Sequence, residues 1–367
     1  MLLFCADTLF FMTNDNDASS KGEKHSFLRF LRENAFFLLK NLMNPDKIGC
    51  VIIHGFGGAL SLKNRILFRG ILPALVSPLS EDGNVLVKET EKLVRWQLSQ
   101  GVNGFYVCGS TGEGLLLEKK TREKLLEVVL DAVEGKVPVI AHIGAIDLPT
   151  TLELAGHAKR AGAAAISSIP PIYFQYGENE VIEYYKTIAA AAEIPLVMYG
   201  VGLANTKLTV SLVEKLMEVE NIIGIKWTYP DYYSMGLLKM IHNGNINVIN
   251  GPDEMLVCGL AIGADAGIGT TYNVMPGLFV KLYDAYQNGR VEEAKKLQQT
   301  INRVITVLIK YHAIASTKEL LCHMGFDVGK CTRPLRHLNE EERLRFLDEV
   351  SGMIDFEQQK IIENENR

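Results

Sequence analysis

Lys226 closes the apolar run Asn221-Ile222-Ile223-Gly224-Ile225-Lys226, and Trp227-Thr228-Tyr229-Pro230 follows it. The run is short, β-branched and bounded by a Pro-Asp turn, which predicts a buried strand. Lysine is almost never fully buried unless it is paired or functional. Side chains alternate along a strand, so the pattern puts Ile222, Gly224 and Lys226 on one face and Ile223 and Ile225 on the other. Gly224 then leaves space on the lysine's face. Burial strips water from the charged form of an amine and favours the neutral form, a nucleophile toward a ketone. A strand-end lysine can instead lay its stem on apolar surface and reach water, so the rest of the chain must decide between the two.

Other residues with chemical potential stand at the ends of similar runs. Cys108-Gly109-Ser110-Thr111-Gly112-Glu113-Gly114 is a small-residue turn whose amides and hydroxyls would suit a carboxylate or phosphate. Tyr199 ends the run Leu196–Tyr199. Asn250-Gly251-Pro252-Asp253-Glu254 carries two acids, and Gly267-Ile268-Gly269-Thr270-Thr271-Tyr272-Asn273 is a second hydroxyl-bearing glycine turn. Singly, each has an ordinary explanation: a turn, a core tyrosine, acids favoured at a helix start. His142 and His157 have no metal partners at ligand spacing and read as core or surface residues. His54-Gly55-Phe56-Gly57-Gly58 resembles an oxyanion loop, but no GxSxG elbow follows.

The elements that must position these residues recur regularly from Phe68 onward. Strands are predicted at Gly70–Val76, Gly104–Val107, Val137–His142, Ala164–Ile169, Leu196–Tyr199, Ile222–Lys226, Val248–Asn250 and Ala266–Gly269. Helices are predicted at Lys88–Gln100, Lys119–Val133, Leu148–Ala161, Glu178–Ala192, Val210–Val219, Ser234–His242, Glu254–Ile262 and Pro276–Asn288. Eight strands each followed by a helix is the count of a (β/α)8 barrel, a TIM barrel, whose chemistry sits at the C-terminal ends of the strands. An open doubly wound sheet is the alternative, weakened because the first turn, Ser77–Gly83, lacks GxGxxG. The division is an N-terminal extension over 1–67, a barrel over 68–288 and a C-terminal helical region over 289–367. The last holds helices at Val291–Tyr311, Ala313–Met324 and Asn339–Val350, which would cover one side of the barrel or build a subunit contact. Within the extension, Phe27–Met43 could form a helix and Gly49–Leu60 a strand and a glycine-rich turn.

Composition narrows the function. With 367 residues, 47% hydrophobic and 22% charged, the chain can bury a sizeable core. A net charge of -5, from 38 basic and 43 acidic residues, offers no basic field for nucleic acid and no polybasic cluster for a membrane surface. No run of eighteen apolar residues predicts a membrane span. The apolar start lacks a basic n-region and makes a poor signal peptide. Six scattered cysteines (Cys5, Cys50, Cys108, Cys258, Cys322, Cys331) favour reduced thiols and a cytoplasmic protein.

Taken together, four motifs make the chain resemble the pyruvate-dependent class I aldolase/lyase superfamily, which includes the N-acetylneuraminate lyases and dihydrodipicolinate synthases. They are Gly109-Ser110-Thr111-Gly112-Glu113, Tyr199 after a short strand, Gly224-Ile225-Lys226, and Gly263-Ala264-Asp265-Ala266-Gly267-Ile268-Gly269. The similarity covers about Phe68 to Pro334. Dihydrodipicolinate synthases usually carry an arginine five positions after the tyrosine, where this chain has Ala204. The chain looks like the lyases there, in Ile140-Ala141-His142-Ile143-Gly144, in Thr228, in Asn250-Gly251-Pro252-Asp253-Glu254 and in Gly269-Thr270-Thr271-Tyr272-Asn273. It departs from the usual pattern at Gly202, at Trp227, in Ile172-Tyr173-Phe174 and at Thr270, which bears on the substrate more than on the chemistry.

The resemblance implies a retro-aldol lyase that splits N-acetylneuraminate into N-acetylmannosamine and pyruvate. Lys226 would form the Schiff base, and Tyr199 would relay the C4 hydroxyl proton through the substrate carboxylate or Tyr173. Ser110 and Thr111 would bind the carboxylate, and Thr228, Gly251, Asp253, Glu254 and Thr270 would hold the rest of the sugar acid. No metal or organic cofactor is implied. The expected partners are the sugar acid, pyruvate and further copies of the chain in a homotetramer. Another 2-keto-3-deoxy sugar acid aldolase, a dihydrodipicolinate synthase, or a non-catalytic keto-acid-binding barrel are the alternatives.

Overall fold

The structure, a computed structural model, describes residues 65–202 and 206–356, with the backbone of Leu2–Cys5, Thr8–Phe11 and Lys360–Ile361. The helix expected at Phe27–Met43, the strand and turn at Gly49–Leu60 and the position of Ala204 lie outside the described residues. The chain divides into two units, Met1–Ala59 and Leu60–Arg367. In the first, Leu2–Cys5 pairs antiparallel with Thr8–Phe11.

The second unit contains eight parallel strands: β1 Gly70–Pro73, β2 Phe105–Val107, β3 Val139–His142, β4 Ala165–Ser168, β5 Leu196–Gly200, β6 Ile222–Trp227, β7 Asn247–Asn250 and β8 Ala266–Gly269. Their hydrogen-bonded order is β1-β8-β7-β6-β5-β4-β3-β2. The ring closes where Ala74 bridges Tyr106 in parallel and the Leu75 amide donates to the Tyr106 carbonyl at 2.9 Å. Helices follow the strands: α1 Val87–Ser99, α2 Lys119–Val133, α3 Leu148–Ala161, α4 Glu178–Ala192, α5 Val210–Leu216, α6 Tyr232–Leu238, α7 Leu256–Ile262 and α8 Pro276–Gln287. This is the (β/α)8 barrel that the alternation predicts. The strands are buried on both faces, which is why they read as continuous apolar runs. Local signals set the helix ends. The Asp147 carboxylate caps α3 by accepting from the Thr150 amide at 2.8 Å, and Gly162 ends it at φ 91°. The helix expected at Ser234–His242 stops at Leu238, because His242 and Asn243 adopt left-handed φ of 48° and 55° in a separate tight turn.

Two apolar layers hold the barrel. Leu72, Ile140, Val197, Ile223, Ile249 and Ile268 fill its interior. A larger shell, including Ile222, Ile225 and Trp227, packs sheet against helices. This partition corrects the expected faces of β6. Its register with β5 slips between Leu196↔Ile222 and Val197↔Gly224, a β-bulge. The extra residue turns Ile222 out with Ile225 and Trp227 and sends Ile223 inward, to the side of Lys226. Gly224 does not leave open space either. A Cβ there would lie 2.0 Å from the Asn247 carbonyl oxygen, so the glycine admits the backbone of β7.

After the barrel come α9 Val291–Lys310, α10 Ala313–His323 and α11 Glu340–Val350, near their expected bounds. Asn339 and Glu342 start α11 with a capping box. At the opposite end of the chain, residues just before β1 seal the barrel floor. Asn247 Oδ1 accepts from the amides of Leu67 and Phe68, at 3.2 and 2.8 Å, and the Arg65 guanidinium donates to the Met217 carbonyl at 2.8 Å. Protein lacking residues 1–67 should therefore melt below protein lacking 1–64, since buried amide partners are lost at roughly 1–3 kcal/mol each. Thermal scans of the two truncations check this, and equal melting temperatures would contradict it.

Candidate active site

Lys226 is 5% exposed and points into the barrel from the C-terminal end of β6. Its Nζ lies over two aromatic faces, 4.2 Å from the Tyr199 ring centroid and 4.7 Å from that of Tyr106. Such contacts hold a cation through the ring quadrupole and fix the position of the amine. Tyr199 and Lys226 are register partners across β5 and β6, which is why they share the interior face. Three rims then meet. The Tyr199 hydroxyl is 3.4 Å from Ser110 Oγ in the turn after β2, and Thr111 Oγ1 of that turn is 2.7 Å from Thr270 Oγ1 after β8. Sequence-predicted residues on strands two, five, six and eight thus form one connected group.

Electrostatics follow from this packing. Burial by itself would raise the Tyr199 phenol. The Lys226 charge, the hydrogen bond with Ser110 and the nearness of the Lys226 and Thr228 donor groups outweigh it and bring the phenol below its usual range. Tyr106 moves the other way, well above the ordinary range, because it is buried beside Tyr199. Its hydroxyl bonds Ser167 Oγ at 3.0 Å. One member of the pair is prepared to lose a proton and the other to keep it.

The turn after β7 is divided. Gly251 is required because a Cβ there would lie 2.1 Å from Thr228 Oγ1. Asp253, expected to face a ligand, is buried. Its Oδ2 accepts from the amide and hydroxyl of Thr271 at 2.6 and 2.7 Å, and its Oδ1 lies where a Cβ on Gly269 would be. Desolvation pushes this carboxyl up to about 6 against the pull of Thr271. Glu254, the next residue, is exposed. The raised Asp253 value has a sign consequence. Between its unfolded range and about pH 6 the folded state binds the extra proton, so this group's contribution to stability declines as pH rises through that window. Relative to Asp253→Asn, wild-type protein should lose roughly 1–3 kcal/mol between pH 4.5 and 7. Denaturant titrations at the two pH values measure this, and parallel pH profiles would contradict it.

Tyr173 sits apart from the buried group. It is 76% exposed on the segment after β4, with a left-handed φ of 77° and its ring 4.9 Å from that of Phe174. A positive φ on a tyrosine is an uncommon, costly conformation.

A family model described as the dihydrodipicolinate synthetase family matches residues 67–352. The chain belongs to the dihydrodipicolinate synthetase family. It is 38% identical over 285 residues to a protein of Rhizobium meliloti (strain 1021) named N-acetylneuraminate lyase, covering 78% of this chain and 95% of that one. A Citrobacter koseri protein of the same name is 34% identical over 288 residues, covering 78% and 95%. The solved structure of wild-type Ruminococcus gnavus sialic acid aldolase superposes with a TM-score of 0.75 at 31% identity, covering 80% of this chain and 99% of that one.

Within the dihydrodipicolinate synthetase family fold, the shared glycine motif has a packing cause. Gly263 ends α7 at φ 104°, and Asp265 pairs with Lys239 at 3.0 Å. Gly267 makes room for the Tyr272 hydroxyl and Gly269 for the Asp253 carboxylate. The departure at Trp227 loses its significance for the substrate. The indole faces outward, 4.6 Å from the Tyr229 ring, and donates to the Asp231 carbonyl at 3.0 Å. Gly202 meets nothing within 4 Å of a built Cβ.

Two further residues pack beside the site without being assigned to it by the sequence. Tyr106 could have been found, since period-two alternation along β2 places it inward beside the serine-threonine turn. His142 was read as core or surface; it is buried inside the barrel, its ring 6.0 Å from Tyr199. Desolvation, then the charges of Arg122 and Lys226, hold it down to about 3. Its Nδ1 donates to the Cys108 carbonyl at 3.2 Å, so it stays neutral in one tautomer. Among the described residues no cluster of His, Cys, Asp or Glu is placed to hold a metal ion, and no helix is long and apolar enough to cross a membrane.

Proposed function

We propose that this protein is a Schiff-base lyase that cleaves N-acetylneuraminate to N-acetylmannosamine and pyruvate. The observation that carries the proposal is the buried Lys226 amine stacked on Tyr199, whose hydroxyl reaches Ser110 in the turn after β2. The names of the relatives supply the substrate class. Lys226 attacks the C2 ketone and water leaves, giving an iminium. Tyr199, in its phenolate form, which the lowered pKa favours, takes the C4 hydroxyl proton. The C3–C4 bonding pair flows into the iminium, and N-acetylmannosamine departs. Tyr199 returns that proton to the enamine at C3, and water hydrolyses the resulting imine to release pyruvate and free Lys226. The iminium is the electron sink, so the reaction as written uses no metal or organic cofactor.

In this reading Ser110 and Thr111 bind the substrate carboxylate. Thr228, Gly251, Asp253, Glu254 and Thr270 line the path of the sugar chain, with Asp253 serving mainly through Thr271 and exposed Glu254 meeting the chain's end. Tyr173, exposed and backbone-strained, is the proposed second relay. The C-terminal helices are the proposed contact with further copies in a homotetramer, a cytoplasmic enzyme. Analytical ultracentrifugation tests the assembly.

The function is tested by incubating the protein with N-acetylneuraminate and measuring both products. Equimolar pyruvate and N-acetylmannosamine are expected. Faster cleavage of shorter 2-keto-3-deoxy acids would move the substrate assignment and leave the lysine chemistry in place. Glu254→Ala should lower kcat/KM for N-acetylneuraminate about 10–100-fold, mainly through KM, because a hydrogen bond to a charged group is lost in ground and transition states alike. Pyruvate trapping at Lys226 should be unaffected.

A further inference from the structure

Lys318 and Glu113 form an ion pair at 2.9 Å with side-chain exposures of 2% and 0%. Lys318 is on α10, outside the barrel's eight strand–helix units, and the pair spans 205 positions of sequence. All three ammonium protons are used. Besides Glu113 Oε1, Nζ donates to the Ser77 carbonyl at 3.0 Å and the Lys330 carbonyl at 2.8 Å. The other Glu113 oxygen accepts from the Thr332 amide. The pair therefore joins the loop after β1, the turn after β2 and the segment following α10.

Burying two charges is costly, and a well-packed apolar pair could replace them at little or no loss of stability. The placement of this pair suggests what it is for. Glu113 ends the turn that carries Ser110 and Thr111, and its amide closes that turn on the Ser110 carbonyl at 3.0 Å. Its backbone is left-handed, φ 59°, and the adjoining Gly114 amide donates to the Gly109 carbonyl at 3.0 Å. A Cβ on Gly114 would strike the Cys108 carbonyl oxygen at 1.9 Å, so the turn is wound against its own strand. From the other side, Ser77 Oγ donates to the Gly112 carbonyl at 2.6 Å, and Ser77 is itself held by Lys318. The strained turn has no helix of its own to fix it; the following 3₁₀ turn is three residues long.

We propose that Lys318 is a positioning residue. By neutralising Glu113 and gripping Ser77, it sets the Ser110–Thr111 turn at the spacing a keto-acid carboxylate requires, and this is the functional contribution of the C-terminal helices. The proposal rests on the Schiff-base reading above. A displaced pair of donors weakens carboxylate binding without touching the nucleophile.

The test is the pyruvate concentration that half-saturates borohydride trapping on the full chain, for wild type, Lys318→Met, Lys318→Arg and the charge-neutral double variant Glu113→Gln/Lys318→Met. Folding of each is checked by circular dichroism. Lys318→Met should raise the half-saturating concentration at least about tenfold, the scale of one charged hydrogen bond misplaced. The trapped stoichiometry at saturation should stay at one, still on Lys226, and Lys318→Arg should restore much of the loss. A purely structural role would lower the melting temperature and the active fraction but leave the half-saturating concentration unchanged, and that result overturns the proposal. If Lys318→Met does not fold, the double variant carries the same measurement with no buried charge unpaired, and the same criterion applies. Wild-type protein that traps no pyruvate overturns the Schiff-base reading instead, so the two failures are distinguishable.

Discussion

Lys226→Ala should abolish turnover of N-acetylneuraminate, lowering kcat on the order of 10⁴–10⁶-fold, the scale on which removal of a covalent nucleophile acts. No neighbouring amine can substitute. Among the described residues, the lysine packed on the Tyr199 and Tyr106 rings is Lys226, whereas Lys318, the other deeply buried lysine, has its protons committed to Glu113, Ser77 and Lys330. The variant should still fold. Lys226 sits over ring faces with no carboxylate in ion-pair contact among the described residues, so its removal leaves no buried counter-charge behind. Product assays on purified variant with a wild-type circular dichroism spectrum measure the effect. Residual activity within tenfold of wild type would remove Lys226 from the mechanism.

Tyr199→Phe should lower kcat by about 10²–10⁴-fold, the usual contribution of a positioned general acid–base group. The ring and its contact with Lys226 remain, and the hydrogen bond to Ser110 goes. Pyruvate trapping should therefore survive with modestly weaker binding. The pH profile should move as well. The wild-type phenol lies below its ordinary range because of Lys226 and its hydrogen bonds, so the wild-type rate should rise with pH below that of an unperturbed tyrosine. The variant should lose that ascending limb. An unchanged kcat, or an unchanged limb, would assign the proton transfer to another group. Tyr106 is a poor replacement, since burial raises its phenol well above the working range.

The positions of the strands and helices are legible in the sequence because two periods coexist in it. Parallel strands buried on both faces give apolar runs, and the helices between them give amphipathic ones. The rim assignment follows, because residues just past each strand must lie at one end of a barrel. The orientation of individual side chains is less legible. The bulge at Ile222–Ile223 has no marker in the sequence, and it moved Ile223 to the face of Lys226. Trp227 looked out of place in the site only until its position, one residue past Lys226, turned it to the helix side. The resemblance places Asp253 among the ligand residues, but nothing in its type shows that the room left by Gly269 takes its carboxylate inward to Thr271. The Lys318–Glu113 pair could not be read at all, since nothing local links residues 205 positions apart.

The most direct test of the central claim is peptide mapping by mass spectrometry after borohydride reduction in the presence of N-acetylneuraminate. The enamine left by cleavage and the imine formed with released pyruvate lie on one path, so reduction should fix a single pyruvate-derived adduct. The account predicts that adduct on the peptide containing Lys226, at one per chain, with N-acetylmannosamine free in solution. An adduct on any other lysine, or cleavage that proceeds with no borohydride-trappable intermediate, would contradict it.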